Sequence, residues 1–231
     1  MIFFYRFPVV VWLAPTIILA SASFAATKSH VIAFGNWTTV QWIPGPVNDK
    51  PLPMKVRPLL VDGRIKEHTF GLPHEVTERL FVIRRAFRVN DSLPEESSAP
   101  RWQWQRGGWL LVDRVTARIS PIALPDFDAF YSAASWYRDY VAYCGVSDDG
   151  KKVYAVVAQI SRRKPVLKKT LAGESIPDDA PADSACAAPT WQRIPARVTF
   201  EPAAGTKQAF AIRGHMVDFV ADDEEDEEAS K

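Results

Sequence analysis

The order of apolar and polar positions along the chain predicts strands joined by tight turns. Asp62-Gly63 separates two extended runs with the spacing of a two-residue hairpin turn. Pairing across this turn with Val61 opposite Arg64 places three apolar residues on one face. The other face carries most of the charged residues together with Val61, and we expect it to be solvated. The apolar three are Val56, Leu60 and Ile65. Pro58 has no N–H to donate, so its strand is predicted to lie at a sheet edge.

A second hairpin is predicted around Gly107-Gly108, where tryptophan and polar residues alternate in the preceding run. Pairing Arg106 with Trp109 gathers the tryptophans of both runs on one face, together with Leu111. Because aliphatic residues share that face, we expect each tryptophan to be largely buried in the core. The alternative is an exposed platform on which sugar rings stack, with Arg106 as a cation beside Trp109. The candidate ligand-binding residues in that alternative are Trp102, Trp104, Arg106 and Trp109.

Further along, the apolar pattern changes from helical to continuous. Over 125–138 aromatic residues recur at helical spacing and Asp126 is placed to cap, so a short helix is expected. Two runs, 139–144 and 152–160, are apolar at successive positions and are predicted to be central strands of a sheet. The turn between them is Ser147-Asp148-Asp149-Gly150. A last hairpin or meander is predicted over 196–220.

These segments predict a mainly β protein. We expect an antiparallel meander of hairpins that forms a sandwich, a barrel or a partial propeller-like sheet, with at most one or two short helices. The stretches 109–119 and 136–169 resemble blades of a β-propeller, in which a Ser-Asp-Asp-Gly-Lys-Lys turn is common. This resemblance covers a minor part of the chain, and no fixed-period repeat accompanies it, so it indicates no family. One β-rich domain is expected over 26–220, with a flexible Ala-, Pro-, Asp- and Ser-rich loop over 172–189.

The N-terminus has the order of a secretory signal peptide. Arg6 is followed by an apolar run over 7–20 and then by small residues. Three cleavage points fit this pattern, after Ala22, Ala25 or Ala26. We favour Ala25, which assigns 1–25 to the signal peptide. The alternative is an uncleaved anchor, because the uncharged stretch approaches the ~20 residues that span a bilayer. Since no cysteine follows the run, a bacterial lipoprotein signal is excluded.

The charges are balanced overall and uneven along the chain. The sequence has 28 Lys and Arg against 27 Asp and Glu, which gives no general attraction to nucleic acid or to an anionic membrane. The run 222–228 is entirely acidic, and like charges that repel each other and bury nothing predict a disordered acidic tail over 221–231. Together with the signal peptide, this composition predicts a secreted or periplasmic protein without a stable membrane span.

Cys144 and Cys186 are the only cysteines of the chain. Both lie in the part expected to be exported, where an oxidising compartment favours a disulfide bond between them. Closing a loop of this length contributes on the order of 4 kcal/mol in the chain-entropy model. Two buried thiols or a redox pair are the alternatives, although the CxxC spacing typical of redox pairs is absent.

No set of residues in the sequence carries a recognisable chemistry. The chain lacks a GxSxG elbow, a glycine-rich phosphate loop and a clustered Cys/His set, and we predict neither a cofactor nor a metal site. His74-Glu75 begins like the helix of a zinc protease, but Glu78 stands where the second histidine should be.

Two function classes fit the sequence. The first is an exported noncatalytic protein that binds an envelope protein or a glycan, which requires only the β scaffold. The alternative is an exported hydrolase with a carboxylate-based site that leaves no motif. Asp113 is its candidate, because desolvation on the apolar face of the tryptophan hairpin would raise the pKa of this residue. A salt bridge to Arg101 or Arg106 is the competing explanation for its position.

The signal-peptide assignment predicts that the exported protein begins near Ala26 or Thr27. N-terminal sequencing or an intact-mass measurement of the exported form should find the preceding residues removed. Recovery of a chain that still starts at Met1 would contradict cleavage and favour the anchor.

Overall fold

The computed structural model describes residues 29–44, 50–92, 99–171, 176, 180–202 and 206–213, and the backbone of 216–220. The predicted signal peptide, the predicted acidic tail and most of 172–179 lie outside the described residues. Within them every regular element is a strand, and no helix is long and apolar enough to cross a bilayer. The strands are β1 (Ile32–Phe34), β2 (Thr38–Trp42), β3 (Leu52–Val61), β4 (Arg64–Glu75), β5 (Leu80–Asn90), β6 (Trp102–Asp113), β7 (Ile119–Ile122), β8 (Ala134–Tyr137), β9 (Tyr140–Val146), β10 (Val153–Gln159), β11 (Leu167–Thr170), β12 (Thr190–Gln192), β13 (Arg197–Phe200), β14 (Gln208–Arg213) and β15 (Met216–Val220).

The strands form three sheets. The first contains β1 to β7, while the second (β8 to β11) and the third (β12 to β15) are four-stranded meanders in which each strand pairs with the next. In the first sheet, β2 to β6 pair in succession, and a parallel pairing of β2 with β6 at Trp42 and Trp104 closes these five strands into a ring. All other pairings are antiparallel. The predicted mainly β class is therefore confirmed.

One face of the ring strands carries a core cluster to which all five strands contribute. Its ring members are Val40, Trp42, Met54, Val56, Phe70, Ala86 and Trp104. The opposite face of β5 carries Phe81 and Ile83, which pack with Leu110 of β6 and with apolar residues of β1 and β7. The ring is therefore covered on both faces along β5.

The second sheet is also covered on both faces. Its residues Ala142, Cys144, Ala155 and Val157 pack against Val198, Phe200 and Phe210 of the third sheet. Its opposite face presents Val141, Tyr143, Val156 and Ala158, which pack with Leu124, Phe127 and Trp136. Every residue of β9 is buried, and β9 and β10 each have a partner strand on both sides. The prediction that these runs are central strands is confirmed.

A disulfide bond joins Cys144 to Cys186, as predicted, with 5.9 Å between their Cα atoms. It attaches the loop segment 180–186 to β9. Two backbone hydrogen bonds hold the same segment, from Asp183 N–H to the Phe130 carbonyl (2.8 Å) and from Ala185 N–H to the Tyr131 carbonyl (3.0 Å). The segment is thus fixed at three points, one on β9 and two on the turn segment that precedes β8.

The first predicted hairpin forms with the expected turn, but the predicted distribution of its side chains is wrong. A bulge beyond the turn shifts the register, so that Val56 pairs with Phe70 rather than with Thr69. Ile65, expected on the apolar face, is 57% exposed, whereas Val61, expected on the solvated face, is buried. The reason lies in β1, whose apolar residues pack with Leu59 on the face that an isolated hairpin would expose.

β3 is an interior strand, so the edge position inferred from Pro58 is wrong. It pairs with β4 on one side and with β1 and β2 on the other. Pro58 falls between the stretch that pairs with β2 (52–56) and the stretch that pairs with β1 (59–61). Gly35 donates its N–H to the Pro58 carbonyl across this gap (2.9 Å). The missing N–H of proline therefore interrupts no ladder of hydrogen bonds.

The second predicted hairpin does not form. β6 runs through Gly107-Gly108 without a turn, and β5 pairs with both halves of it. The two glycines stand opposite the single residue Arg85 and form a bulge. The extra residue keeps Arg106 and Trp109 on the same face, opposite Ala86 and Arg84 respectively. A long partner strand has outweighed the local turn signal.

The short helix expected over 125–138 does not form. Asp126 adopts a left-handed conformation (φ 54°) that interrupts an α-helix. Asp128 accepts the backbone N–H groups of Phe130 and Tyr131 through Oδ1 and so caps a turn. The aromatic residues contact different neighbours, Phe127 against Tyr143 of the second sheet and Phe130 against Trp42 of the ring. Their spacing therefore reflects a turn segment that packs against both the ring and the second sheet.

Replacing Gly107 with Ala should destabilise the protein, because its Cβ would lie 3.1 Å from the Arg85 carbonyl oxygen and 3.3 Å from Phe87. We expect a loss of about 1–3 kcal/mol in the free energy of unfolding. Gly108→Ala is the matched control and should be close to neutral, since no atom lies within 4 Å of its Cβ position. Urea denaturation of both variants beside wild type measures the difference, and equal losses would contradict the bulge geometry.

Candidate ligand-binding site

The four candidate residues of β6 share one face, as the sequence predicted. Their partners on β5 are Asn90 for Trp102, Arg88 for Trp104, Ala86 for Arg106 and Arg84 for Trp109. Their burial differs, however. Trp102 is 58% exposed, which contradicts the expectation that all three tryptophans are largely buried, while the other three residues are half-buried.

Trp102 belongs to a small group of aromatic and basic side chains near the start of β6. The Arg88 guanidinium lies 5.7 Å from the ring centroid of Trp102 and 5.5 Å from that of Trp104, within the range of cation–π contacts. The His68 ring meets Trp104 edge-on at 5.2 Å. Burial and the nearby Arg88 lower the pKa of His68 below its ordinary value, so this ring is neutral at pH 7. We call Trp102, Trp104, Arg88 and His68 the Trp102 array.

The platform alternative placed Arg106 beside Trp109, but Arg106 binds Asp183 instead. Its two terminal nitrogens donate to both carboxylate oxygens of Asp183 at 2.9–3.0 Å. Its guanidinium also lies 5.1 Å from the Trp42 ring centroid and 5.3 Å from that of Phe70. Asp183 is 77 residues away along the chain, and no local sequence signal identified it as the partner.

A second arginine stands next to this pair. Arg84 is buried, donates to the Ala129 carbonyl at 2.6 Å, and has its guanidinium 3.8 Å from Asp183. Burial, reinforced by Arg106, lowers the pKa of Arg84 to about 10, so the group still carries its charge at neutral pH. Asp128 also acts on Arg84 as an opposite charge.

Arg106 and Asp183 line a cavity of about 350 Å³ at one side of the ring. Its other lining residues are Trp42, Leu52, Pro53, Met54, Phe70 and Ala182. Asp183 adopts a left-handed conformation (φ 58°), which an aspartate tolerates better than most residues. The cavity therefore combines an aromatic wall with one donor and one acceptor group whose positions are fixed by their mutual hydrogen bonds.

Trp109 has a different role from Trp102. Its ring meets Trp136 of β8 edge-on at 5.1 Å, and Trp136 stacks on His74 of β4 at 5.9 Å. His74 donates from Nε2 to the Arg138 carbonyl at 2.8 Å. These contacts join the first sheet to the second, so we assign Trp109 to packing between sheets rather than to ligand binding.

Asp113, the candidate acid of the hydrolase alternative, does not have the raised pKa that the sequence suggested. Arg79 donates to it from Nε at 2.9 Å, and the N–H groups of Val115 and Thr116 also point at its Oδ1. The Arg79 hydrogen bond holds the pKa of Asp113 well below its usual range. Its salt-bridge partner is neither Arg101 nor Arg106, and its role is to fix the turn after β6.

Three aspartates line one cleft of about 440 Å³, Asp126, Asp128 and Asp148. Asp126 forms an ion pair with Lys168 at 2.8 Å, and Asp128 caps the turn described above. Two of the three are therefore engaged in maintaining the fold. In the part of the chain that the structure describes, no group of three His, Cys, Asp or Glu residues is placed to hold a metal ion.

His74 and Glu75 lie in strand β4 rather than on a helix. Glu75 is bound by Arg114 at 2.7 Å. The geometry of a zinc-protease helix is therefore absent from this segment. Comparisons with protein-family models, with curated proteins and with solved structures found no match to this chain.

The different burial of two tryptophans on one face predicts different effects on stability. Trp104→Ala should lower the free energy of unfolding by about 2–4 kcal/mol, somewhat less than for a fully buried tryptophan, because Trp104 packs against the ring cluster. Trp102→Ala should change stability little, because the side chain is mostly in solvent. Thermal melts of both variants beside wild type test this, and equally large losses for the two variants would contradict the difference in burial.

Proposed function

We propose that the protein is an exported, noncatalytic glycan-binding protein and that the Trp102 array is its contact surface. The observation that carries the proposal is the exposure of Trp102, 58%, in a side chain held against Arg88. A large aromatic ring in solvent contributes little to the core, whereas its flat face suits the apolar face of a sugar ring. The disulfide bond and the signal-like N-terminus support export.

The other members of the array fit a polar, uncharged ligand. Arg88 is exposed and offers donors to hydroxyl oxygens beside the Trp102 face. His68 is neutral at pH 7 and can donate from one ring nitrogen and accept at the other. Aromatic stacking combined with a few directional hydrogen bonds is the combination that distinguishes a sugar from a purely apolar ligand.

The hydrolase alternative has less support. Asp113 is held ionised by Arg79, and two carboxylates of the acidic cleft are engaged in the fold. At Asp113 and at two of the three cleft aspartates, other protein groups already bind the carboxylate, which is therefore not free to act as a general acid or base.

Titration with neutral tetrasaccharides tests the proposal. We expect cellotetraose, chitotetraose or maltotetraose to quench or shift tryptophan fluorescence saturably, with a matching calorimetric isotherm. Trp102→Ala should weaken that binding at least about tenfold, since losing a stacking contact costs roughly 1.4 kcal/mol or more. The melting temperature should stay the same.

Trp37→Ala is the matched control. Trp37 is 44% exposed and also has an arginine, Arg57, against its ring at 4.3 Å. Its replacement should leave binding unchanged. Equal effects of the two variants, or no binding of any tetrasaccharide, would refute the Trp102 array as a glycan site. Capture of an envelope protein that depends on Trp102 would favour a protein partner instead.

A further inference from the structure

We propose that the cavity beside Arg106 is a second subsite for the same ligand, one that takes a neutral sugar ring. This inference rests on the proposed glycan-binding function and specifies its ligand as a neutral oligosaccharide that reaches from Trp102 into the cavity. The carrying observation is the hydrogen-bonded Arg106–Asp183 pair set against an aromatic wall.

The spacing on β6 gives the length of the ligand. Trp102, Trp104 and Arg106 follow one another on the same face, so the exposed ring and the cavity are four residue steps apart along the strand, about 13 Å at ~3.3 Å per step. Trp104, half-buried between them, is paired in the ring with Trp42, which lines the cavity. A single sugar cannot cover this span, whereas an oligosaccharide can.

The polar groups of the cavity suit adjacent hydroxyl groups. Asp183 keeps 39% of its side chain exposed and can accept hydrogen bonds from hydroxyls, while Arg106 can donate to their oxygens. Because the two groups already bind each other, they are held in place before a ligand arrives, which lowers the entropy cost of binding. The disulfide at Cys186 fixes the wall that Asp183 and Ala182 form.

The charges around the cavity favour a neutral ligand over an acidic one. Arg84 and Arg106 contribute two positive charges, and Asp183 and Asp128 face them with two negative charges. Among the described residues these four charges balance, so they give a uronic acid no net attraction, and its carboxylate would have to compete with Asp183 for Arg106.

The experiment compares binding of a tetrasaccharide with that of a disaccharide, first in wild type and then in a variant whose larger side chain fills the cavity. With the best-binding neutral tetrasaccharide and its disaccharide, we expect wild type to bind the tetrasaccharide at least about tenfold more tightly, a difference of roughly 1.4 kcal/mol. Leu52→Trp enlarges a side chain that lines the cavity and is 39% exposed. It should remove this advantage and leave disaccharide binding at the Trp102 array unchanged. Leu72→Trp, at a residue that is 79% exposed and outside the cavity lining, is the control and should change neither.

A second variant covers the case in which Leu52→Trp fails to fold. Asp183→Asn keeps one acceptor oxygen for Arg106. It should weaken tetrasaccharide binding and, by leaving one positive charge in excess, strengthen binding of tetragalacturonate. If Trp102→Ala abolishes binding but chain length and both cavity variants have no effect, the subsite is wrong and the glycan function stands. If wild type prefers tetragalacturonate to every neutral tetrasaccharide, the neutral class is wrong. If no saccharide binds, both proposals fall together.

Discussion

The ion pair between Arg106 and Asp183 joins the ring to the loop segment 180–186, which the disulfide bond ties to the second sheet. Asp183 reaches the ring because its loop is held in place by the disulfide bond from Cys186 to β9 and by a backbone hydrogen bond to Phe130. Arg106 is 12% exposed, so truncating Asp183 to Ala would leave a largely buried cation with no acceptor in place of its partner, which is strongly destabilising. The ion pair that joins the loop to the ring therefore also forms the polar side of the cavity.

Local signals predicted the elements whose form depends on local residues. The Asp62-Gly63 turn formed because its central residues adopt positive φ, and β9 and β10 became central strands because their residues are apolar at successive positions. The disulfide followed from there being only two cysteines in a chain predicted to be exported. The predictions for Gly107-Gly108 and for 125–138 were wrong, because contacts with distant residues determine the conformation of both. β5 pairs with β6 on either side of the glycines, and the aromatic residues of 125–138 pack against two different sheets.

The candidate site was predictable in one respect only. Alternation along β6 placed Trp102, Trp104 and Arg106 on a common face, but a pattern of period two defines the side of a strand and not its depth. Whether that face is covered changes along the strand, since the ring cluster packs on Trp104 and leaves Trp102 in solvent. Arg88 and Asp183 enter the site from elsewhere in the chain, and nothing in their neighbourhood marks them.

The closure of the ring has a consequence for folding. Successive strands from β2 to β6 are neighbours in sequence, so their antiparallel pairings can form with little loss of chain entropy. The pairing of β2 with β6 is different, because it joins positions 42 and 104 and needs the three strands between them to be in register first. Until it forms, β2 and the start of β6 present unpaired edges to other chains. The lifetime of that open sheet, rather than the stability of the closed one, then determines how strongly the chain is exposed to association while it folds.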